Sequence, residues 1–236
     1  MTTPRSVDLN ADIGEGCPWD ELLLGRVSSA SIACGAHAGD RSSMLAALRV
    51  AAERGVAVGA HPGFDDRPNF GRLERPATAL QVEHLVREQV GVLVGLAAEV
   101  EVAVGYIKPH GALYNQGQRD DAIAAGLVDA AVVLGRPILG LPGGRVEARA
   151  ARAGVRFVGE GFADRRYRPD GTLVPRNEPG AILDDPGEIR DQLARLLDLG
   201  VATICIHGDD PRSVALAGVV RDELLRSNVN VTGFLR

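Results

Sequence analysis

The chain has 236 residues, of which 45% are hydrophobic and 24% charged, a balance that suits a normal buried core and excludes disorder. A net charge of −5 with no block of basic residues argues against a nucleic-acid surface. No apolar run is long enough to span a bilayer, or to serve as a signal peptide ahead of Asp8. Cys17, Cys34 and Cys205 are odd in number and far apart, which fits neither a disulfide framework nor a structural zinc site, so a cytoplasmic protein with no membrane or nucleic-acid partner is expected.

Arg5 to Asn10 reads as a first strand running into the acidic, glycine-broken loop Ala11 to Gly16, with a short helix over Asp20 to Val27. Ser28 to Ala33 is a second strand. Asp40 caps a helix over Arg41 to Arg54, which Gly55 stops. Val56 to Ala60 is a third strand, ending in His61-Pro62-Gly63-Phe64, and a polar loop runs from Asp65 to Pro76. Thr78 caps a long helix to about Ala98. Val102-Ala103-Val104 leads to Ile107 as strand four, with Lys108-Pro109-His110-Gly111 at its carboxyl end. Asp120 to Leu134 is helical, Arg136 to Leu141 is strand five, and Pro142-Gly143-Gly144 opens a helix to Ala153. Val155 to Val158 is strand six, followed by Glu160 to Arg165. Tyr167 to Gly180 is irregular, with a hairpin signal at Asp170-Gly171. Glu188 to Leu199 is a helix, Val201 to Ile206 is strand seven, ending in His207-Gly208-Asp209-Asp210, and Ser213 to Leu225 is the last helix. Val229-Asn230-Val231 is expected to pair at an edge.

Strand-then-helix alternation with no composition break predicts a parallel sheet in a single domain over 1–236. The polar residues select a seven-stranded parallel (β/α) barrel, TIM-barrel-like, over an open sheet, because a closed barrel delivers every strand end to one mouth. Of the five histidines, His37, His61, His110 and His207 each follow an apolar strand-like run, and only His84 lies in a helix. Asp8, Asn10, Asp12, Glu160 and Asp164 are assigned to the ends of strands one and six. Lys108 is the single lysine of a chain whose other basic residues are all arginine, so its flexible ammonium is a candidate for work that a planar guanidinium does not do.

Taken singly, each of these residues has a bland reading: a strand-end histidine is commonly a satisfied structural group, and a glycine is commonly a turn. Together they allow two chemistries. Asp12, His37 and His61 can hold a divalent metal that activates water, although no fixed spacing marks the site. Alternatively, Lys108, nearby arginines and the backbone amides of Gly35, Gly63, Gly111, Gly143 and Gly208 can hold an anion. Pro142-Gly143-Gly144 is anion-friendly but is neither a P-loop nor G-x-G-x-x-G. Cys34 reads as core over a nucleophile paired with His37, Cys205 reads as core, and Trp19 and Phe64 are accounted for equally by closure over a ligand and by packing.

The chain resembles the LamB/YcsF family in Asp8-Leu9-Asn10-Ala11-Asp12-Ile13-Gly14-Glu15, Ser28 to Asp40, Gly59-Ala60-His61-Pro62-Gly63-Phe64, Lys108 to Asn115, Glu160 to Tyr167 with Asp170-Gly171-Thr172-Leu173-Val174, and Ile204 to Asp209. Ala36, Arg41 and Pro142-Gly143-Gly144 depart from its pattern. The resemblance implies a barrel similar to those of glycoside hydrolases and polysaccharide deacetylases. It also implies ATP-dependent opening of 5-oxoproline (pyroglutamate) to glutamate, with Mg²⁺ and two further 5-oxoprolinase subunits, B and C. On that basis Lys108 takes the phosphate or the substrate carboxylate, His110 or His61 serves as general acid or base, and Asp12 and Glu160 orient water or a metal. Asn10, His37, Arg72, Tyr114, Asn115, Asp164, Arg165 and His207 contact substrate or phosphate. A stand-alone metal-dependent deacetylase or amidohydrolase is the alternative enzyme, and a small-molecule-binding or regulatory subunit the non-enzymatic one.

Overall fold

The computed structural model describes residues 5–235. Its elements in order are β1 (Arg5–Ile13), α1 (Asp20–Leu24), β2 (Ser29–Ala33), α2 (Arg41–Arg54), β3 (Ala57–His61), α3 (Ala79–Ala98), β4 (Val104–Ile107), α4 (Gly111–Gly117), α5 (Asp121–Leu134), β5 (Ile138–Gly140), α6 (Arg145–Ala153), β6 (Phe157–Phe162), α7 (Pro186–Leu199), β7 (Thr203–Ile206), α8 (Ser213–Arg226) and β8 (Val229–Val231). Strands β1 to β7 pair in parallel in chain order, and β1 pairs with both β2 and β7, which closes a seven-stranded barrel. β8 adds to β1 alone, beside Arg5 to Val7, as the expected edge pairing.

Side chains on a strand point alternately to its two faces, and here the two faces have opposite chemistry. Leu9, Ala11 and Ile13 of β1, with Ile204 and Ile206 of β7, belong to the main apolar core, together with Leu48 of α2, Val86 of α3 and Leu193 of α7. That core is a shell between strands and helices, and each fully buried Leu or Ile contributes about 1.5–3 kcal/mol. The alternate residues Asp8, Asn10 and Asp12 face the barrel interior and meet side chains of other strands. Asp8 accepts from Ser29 (2.7 Å) and Thr203 (2.5 Å), Asn10 donates to Glu160 (3.0 Å), and the hydroxyls of Ser31 and Tyr106 lie 3.2 Å apart across the barrel.

The helices are bounded as their sequences direct. Asp40 with Ser43, and Thr78 with Gln81, form reciprocal capping boxes at α2 and α3, while Asp120 and Asp185 cap α5 and α7. The lower end of the barrel is closed by Phe234 and Leu235 packing on Tyr106, Leu139 and Val158.

Several boundaries differ from expectation. β1 continues to Ile13, so Asp8 and Asn10 lie within the barrel and not at its end. The acidic residues at alternate positions mask the strand because its inner face is polar. β6 likewise runs through Glu160 to Phe162. α1 stops at Leu24. α4, an unexpected helix, starts directly after His110, where Gly111 supplies a φ of 54°. The stretch after β6 contains the signalled hairpin, with antiparallel bridges at Arg165–Ile182 and Tyr167–Leu173. Among the described residues no helix is long and apolar enough to cross a membrane.

Gly59 has a packing reason. A Cβ there would overlap the Tyr106 ring, which crosses the barrel floor. Gly59→Ala is expected to cost about 1–3 kcal/mol by overpacking, read from urea midpoints, and combining it with Tyr106→Leu should recover part of that loss.

Candidate active site

Lys108 follows β4 directly, so the inward alternation that buries Tyr106 also turns the lysine into the barrel. Its Nζ lies 2.7 Å from Asp12 Oδ1, 3.0 Å from Glu160 Oε1, 3.2 Å from Asn10 Oδ1 and 2.9 Å from Cys205 Sγ, and it is only 2% exposed. Burial opposes both charges of the Lys108–Asp12 pair. Their surroundings outweigh it: Asp12 leads the groups that hold Lys108 well above the usual lysine range, and His61 and Lys108 hold Asp12 well below the carboxylate range. One ammonium against two carboxylates leaves this centre with a net negative charge, so Lys108 is already neutralised before any substrate arrives.

Above Asp12 sits a second cluster. Glu15, His37, His61 and His110 each place a ligand atom within 4.8 Å of the others. Glu15 Oε1 is 3.3 Å from His37 Nε2 and 3.5 Å from His110 Nδ1, and His110 Nδ1 is 2.9 Å from His61 Nε2. Burial, and then Asp12, push the Glu15 carboxyl well up. Burial likewise lowers His37, to about 2, and drives His110 well below the usual imidazole range. These four residues can hold a metal. Asp12, expected in that role, stands beside them with Oδ2 3.5 Å from His61 Nε2, while its other oxygen is tied to Lys108.

The third part is the rim. Asp164 accepts from His207 Nδ1 at 2.8 Å, and Phe162 stacks on the imidazole at 5.1 Å. Burial raises Asp164, but His207 together with Arg176 and Arg165 outweighs it and holds the carboxyl below its ordinary value. Asp209 bridges Arg72 (2.5 Å) and Arg176 (2.9 Å). Arg165 is buried, with one guanidinium nitrogen donating to Val174 O at 2.6 Å. Arg165 Nε and Arg176 Nη2 are buried donors without a partner among the described residues. These groups surround a cleft of ≈ 510 Å³ lined by Asp12, His61, Lys108, His110, Arg165 and His207, with Tyr114 and the exposed Asn115 on its α4 side.

Thus Lys108, Asp12, Glu160 and Asn10 form one centre, His37, His61 and His110 a second, and Arg72, Arg165, Asp164 and His207 the rim, all around one mouth. The Tyr114 hydroxyl and Glu160 Oε2 are both buried without a hydrogen-bond partner among the described residues. The backbone-amide cradle is largely spent within the protein: Gly35 N–H donates to Ala38 O, Gly63 N–H to Gln89, and Gly143 N–H to Glu147 in the first turn of α6. Cys34 is core, its thiol pushed to about 12 by burial. Cys205 is buried as expected but also touches Lys108, a contact that only the inward face of β7 could have indicated. Glu15, Arg176 and Asp209 join the site without having been marked by the sequence. Their signal is position: Glu15 in the loop after β1, Asp209 just beyond His207, and Arg176 in the irregular stretch after β6.

The sequence pattern that defines the LamB/YcsF family matches residues 7–236. A protein from Mycolicibacterium paratuberculosis, named as the A subunit of 5-oxoprolinase, is 43% identical, over 97% of this chain and 98% of its own length. The crystal structure of a lactam utilization protein from Thermus thermophilus superposes with a TM-score of 0.88 at 36% identity, covering 97% of this chain and all of that one. A family 4 carbohydrate esterase from Streptomyces lividans shares the fold alone, with a TM-score of 0.51 at 12% identity over 96% of this chain and 91% of that one.

Replacing Lys108 by Met would strand two buried carboxylates, so the change is expected to cost about 3–5 kcal/mol in stability as well as activity. Its pH dependence should also shift. In the native protein the depressed Asp12 contributes stability above the unfolded value near ~3.9, which is lost as pH falls through the folded value. In Lys108→Met one of the groups that hold Asp12 down is gone while His61 remains, so the folded value moves up and the contribution shrinks. Melting temperatures followed from pH 7 down to pH 3 should show a smaller acid loss attributable to Asp12 in the variant than in the native protein.

Proposed function

The chain belongs to the LamB/YcsF family, and from that premise we propose that it opens the lactam ring of 5-oxoproline to glutamate as one subunit of an ATP-dependent 5-oxoprolinase, with two further subunits, B and C, and Mg²⁺ accompanying the nucleotide. The observation that carries the reading is the pairing of a neutralised, buried Lys108 centre with partnerless arginine donors in one small cleft.

A five-membered lactam is a stabilised amide with a poor leaving group. Transfer of a phosphoryl group from ATP to the amide oxygen makes the ring carbon electrophilic. Water then adds to that carbon, losing a proton to a base. The C–N bond breaks once nitrogen has accepted a proton, leaving an acyl phosphate that a second water hydrolyses to glutamate and phosphate. Water addition and C–N cleavage need a proton carrier and an anion clamp, and both have candidates in the cleft.

The proton carrier is better sought in His207 than in His61 or His110. His61 and His110 have both ring nitrogens engaged: His61 with Lys108 O (2.7 Å) and His110, and His110 with Phe70 O (2.9 Å) and His61. His207 has Nδ1 fixed by Asp164, which leaves Nε2 for the cleft that it lines. That is the base-plus-orienting-carboxylate arrangement of catalytic triads. The anion clamp is Arg165 and Arg176, aided by Arg72, because Lys108 is already matched by Asp12 and Glu160. Lys108 and Asn10 then fix the two carboxylates, and Asp12, which reaches the cleft, orients the attacking water.

The test is 5-oxoproline-dependent ATP hydrolysis and glutamate formation by the chain alone and by the chain with subunits B and C. Activity only in the mixture is expected. ATP-independent ring opening by the isolated chain would replace this reading with the stand-alone metal-dependent amidohydrolase. In the mixture, His207→Gln should lower kcat about 10²–10⁴-fold with little change in melting temperature. Burial, opposed by Asp164, sets His207 below the usual imidazole value. As the base must be unprotonated, the acid limb of kcat/KM should lie below pH ~6.5, and Asp164→Asn should move it lower still.

A further inference from the structure

His61 Nδ1 lies 2.7 Å from the carbonyl oxygen of Lys108, and His110 Nε2 lies 2.9 Å from that of Phe70. A carbonyl oxygen has no proton, so each imidazole must donate there. A neutral imidazole carries one N–H. In the neutral form in which an imidazole binds a metal, His61 Nε2 and His110 Nδ1 are then the two free lone pairs, and they face each other at 2.9 Å. Glu15 Oε1 completes a triangle, 3.5 Å from His110 Nδ1 and 3.9 Å from His61 Nε2. Three such atoms are held together by a cation between them, a proton or a metal ion, and with His37 Nε2 they form a group whose ligand atoms all lie within 4.8 Å of one another.

The dimensions suit a metal ion. Ligands held at about 2.0–2.1 Å in a tetrahedron stand about 3.3 Å apart, and the three observed separations bracket that figure. His37 has a different part. Its ring is stacked on His110, 3.8 Å away and within 2° of parallel, so both rings cannot aim in-plane lone pairs at one ion. Its Nε2 instead meets Glu15 Oε1 at 3.3 Å, as an outer partner that orients the carboxylate.

We infer that Glu15, His61 and His110 form a three-ligand site for a divalent transition metal of the zinc class, with His37 positioning Glu15 and the fourth side, bordered by Asp12 Oδ2, open to the cleft. Two imidazoles and a carboxylate with one open position suit zinc or cobalt over magnesium or calcium. The inference rests on the placement of ligand atoms within this chain and is independent of the substrate and ATP assignments above.

The full-length chain, stripped with a chelator and dialysed, would be titrated with Zn²⁺ by calorimetry and with Co²⁺ by visible absorption. One ion per chain, with the strong visible bands of four-coordinate cobalt, is expected. Glu15→Gln and His110→Asn should abolish the bands, and His37→Gln should weaken binding about 10–100-fold. His84→Asn, on the exposed face of α3, should change nothing. Circular dichroism would establish that each variant is folded. Absence of stoichiometric binding by the native chain would overturn the inference even if a variant failed to fold. Binding that survives both Glu15→Gln and His110→Asn would do the same, as would ¹⁵N shifts showing a proton shared between His61 and His110 in the presence of Zn²⁺. Ring-opening activity does not enter any of these readouts.

Discussion

A lysine ammonium buried between two carboxylates is the interaction on which the interior is built. Each charge alone would be costly to remove from water. They are tolerated because Asp12 on β1, Glu160 on β6 and Lys108 just after β4 meet at 2.7 and 3.0 Å. Asn10 and Thr203 continue the network to Asp8, so the charged layer is connected to the hydroxyl layer beneath it. Stability comes from the apolar shell outside the strands, and that division of labour leaves the inside free for chemistry.

The same division explains how much can be read from the sequence. The alternation of strands and helices is legible because Ile204 and Ile206, or Leu9 and Ile13, supply apolar signals and because Asp40, Thr78 and Gly55 punctuate the helices. Four histidines at strand ends locate the mouth. The strand ends themselves are less legible, since Asp8, Asn10, Asp12 and Glu160 look like loop residues to any rule that expects the strands of a parallel barrel to be apolar on both faces. In a barrel with a polar interior the signal for strand is the alternation itself, and β1 carries it from Arg5 to Ile13.

Within the site, residue types are legible but partnerships are not. Lys108 stands out for its rarity, yet nothing in the sequence says that two carboxylates will neutralise it, which moves the task of holding an anion to Arg165 and Arg176. His61, His110 and His207 look equivalent as strand-end imidazoles. They differ only in what their second nitrogen meets: another imidazole for His61 and His110, the cleft for His207. Glu15 follows β1 by two residues, and its approach to three histidines depends on the bend at Gly14, whose φ is 76°.

The layer around Asp8 also bears on how the chain folds. Asp8 accepts from Ser28 and Ser29, about twenty positions away, and from Thr203, 195 positions away. Neighbouring strands can therefore zip up locally from β2 to β6, but the inward face of β1 has only part of its partners until β7 arrives. Contacts of such sequence separation carry the largest loop-closure cost and slow folding. The seam along β1 is then the step at which the interior loses its water, and an incomplete barrel would hold its carboxylates in solvent instead of in a half-formed site.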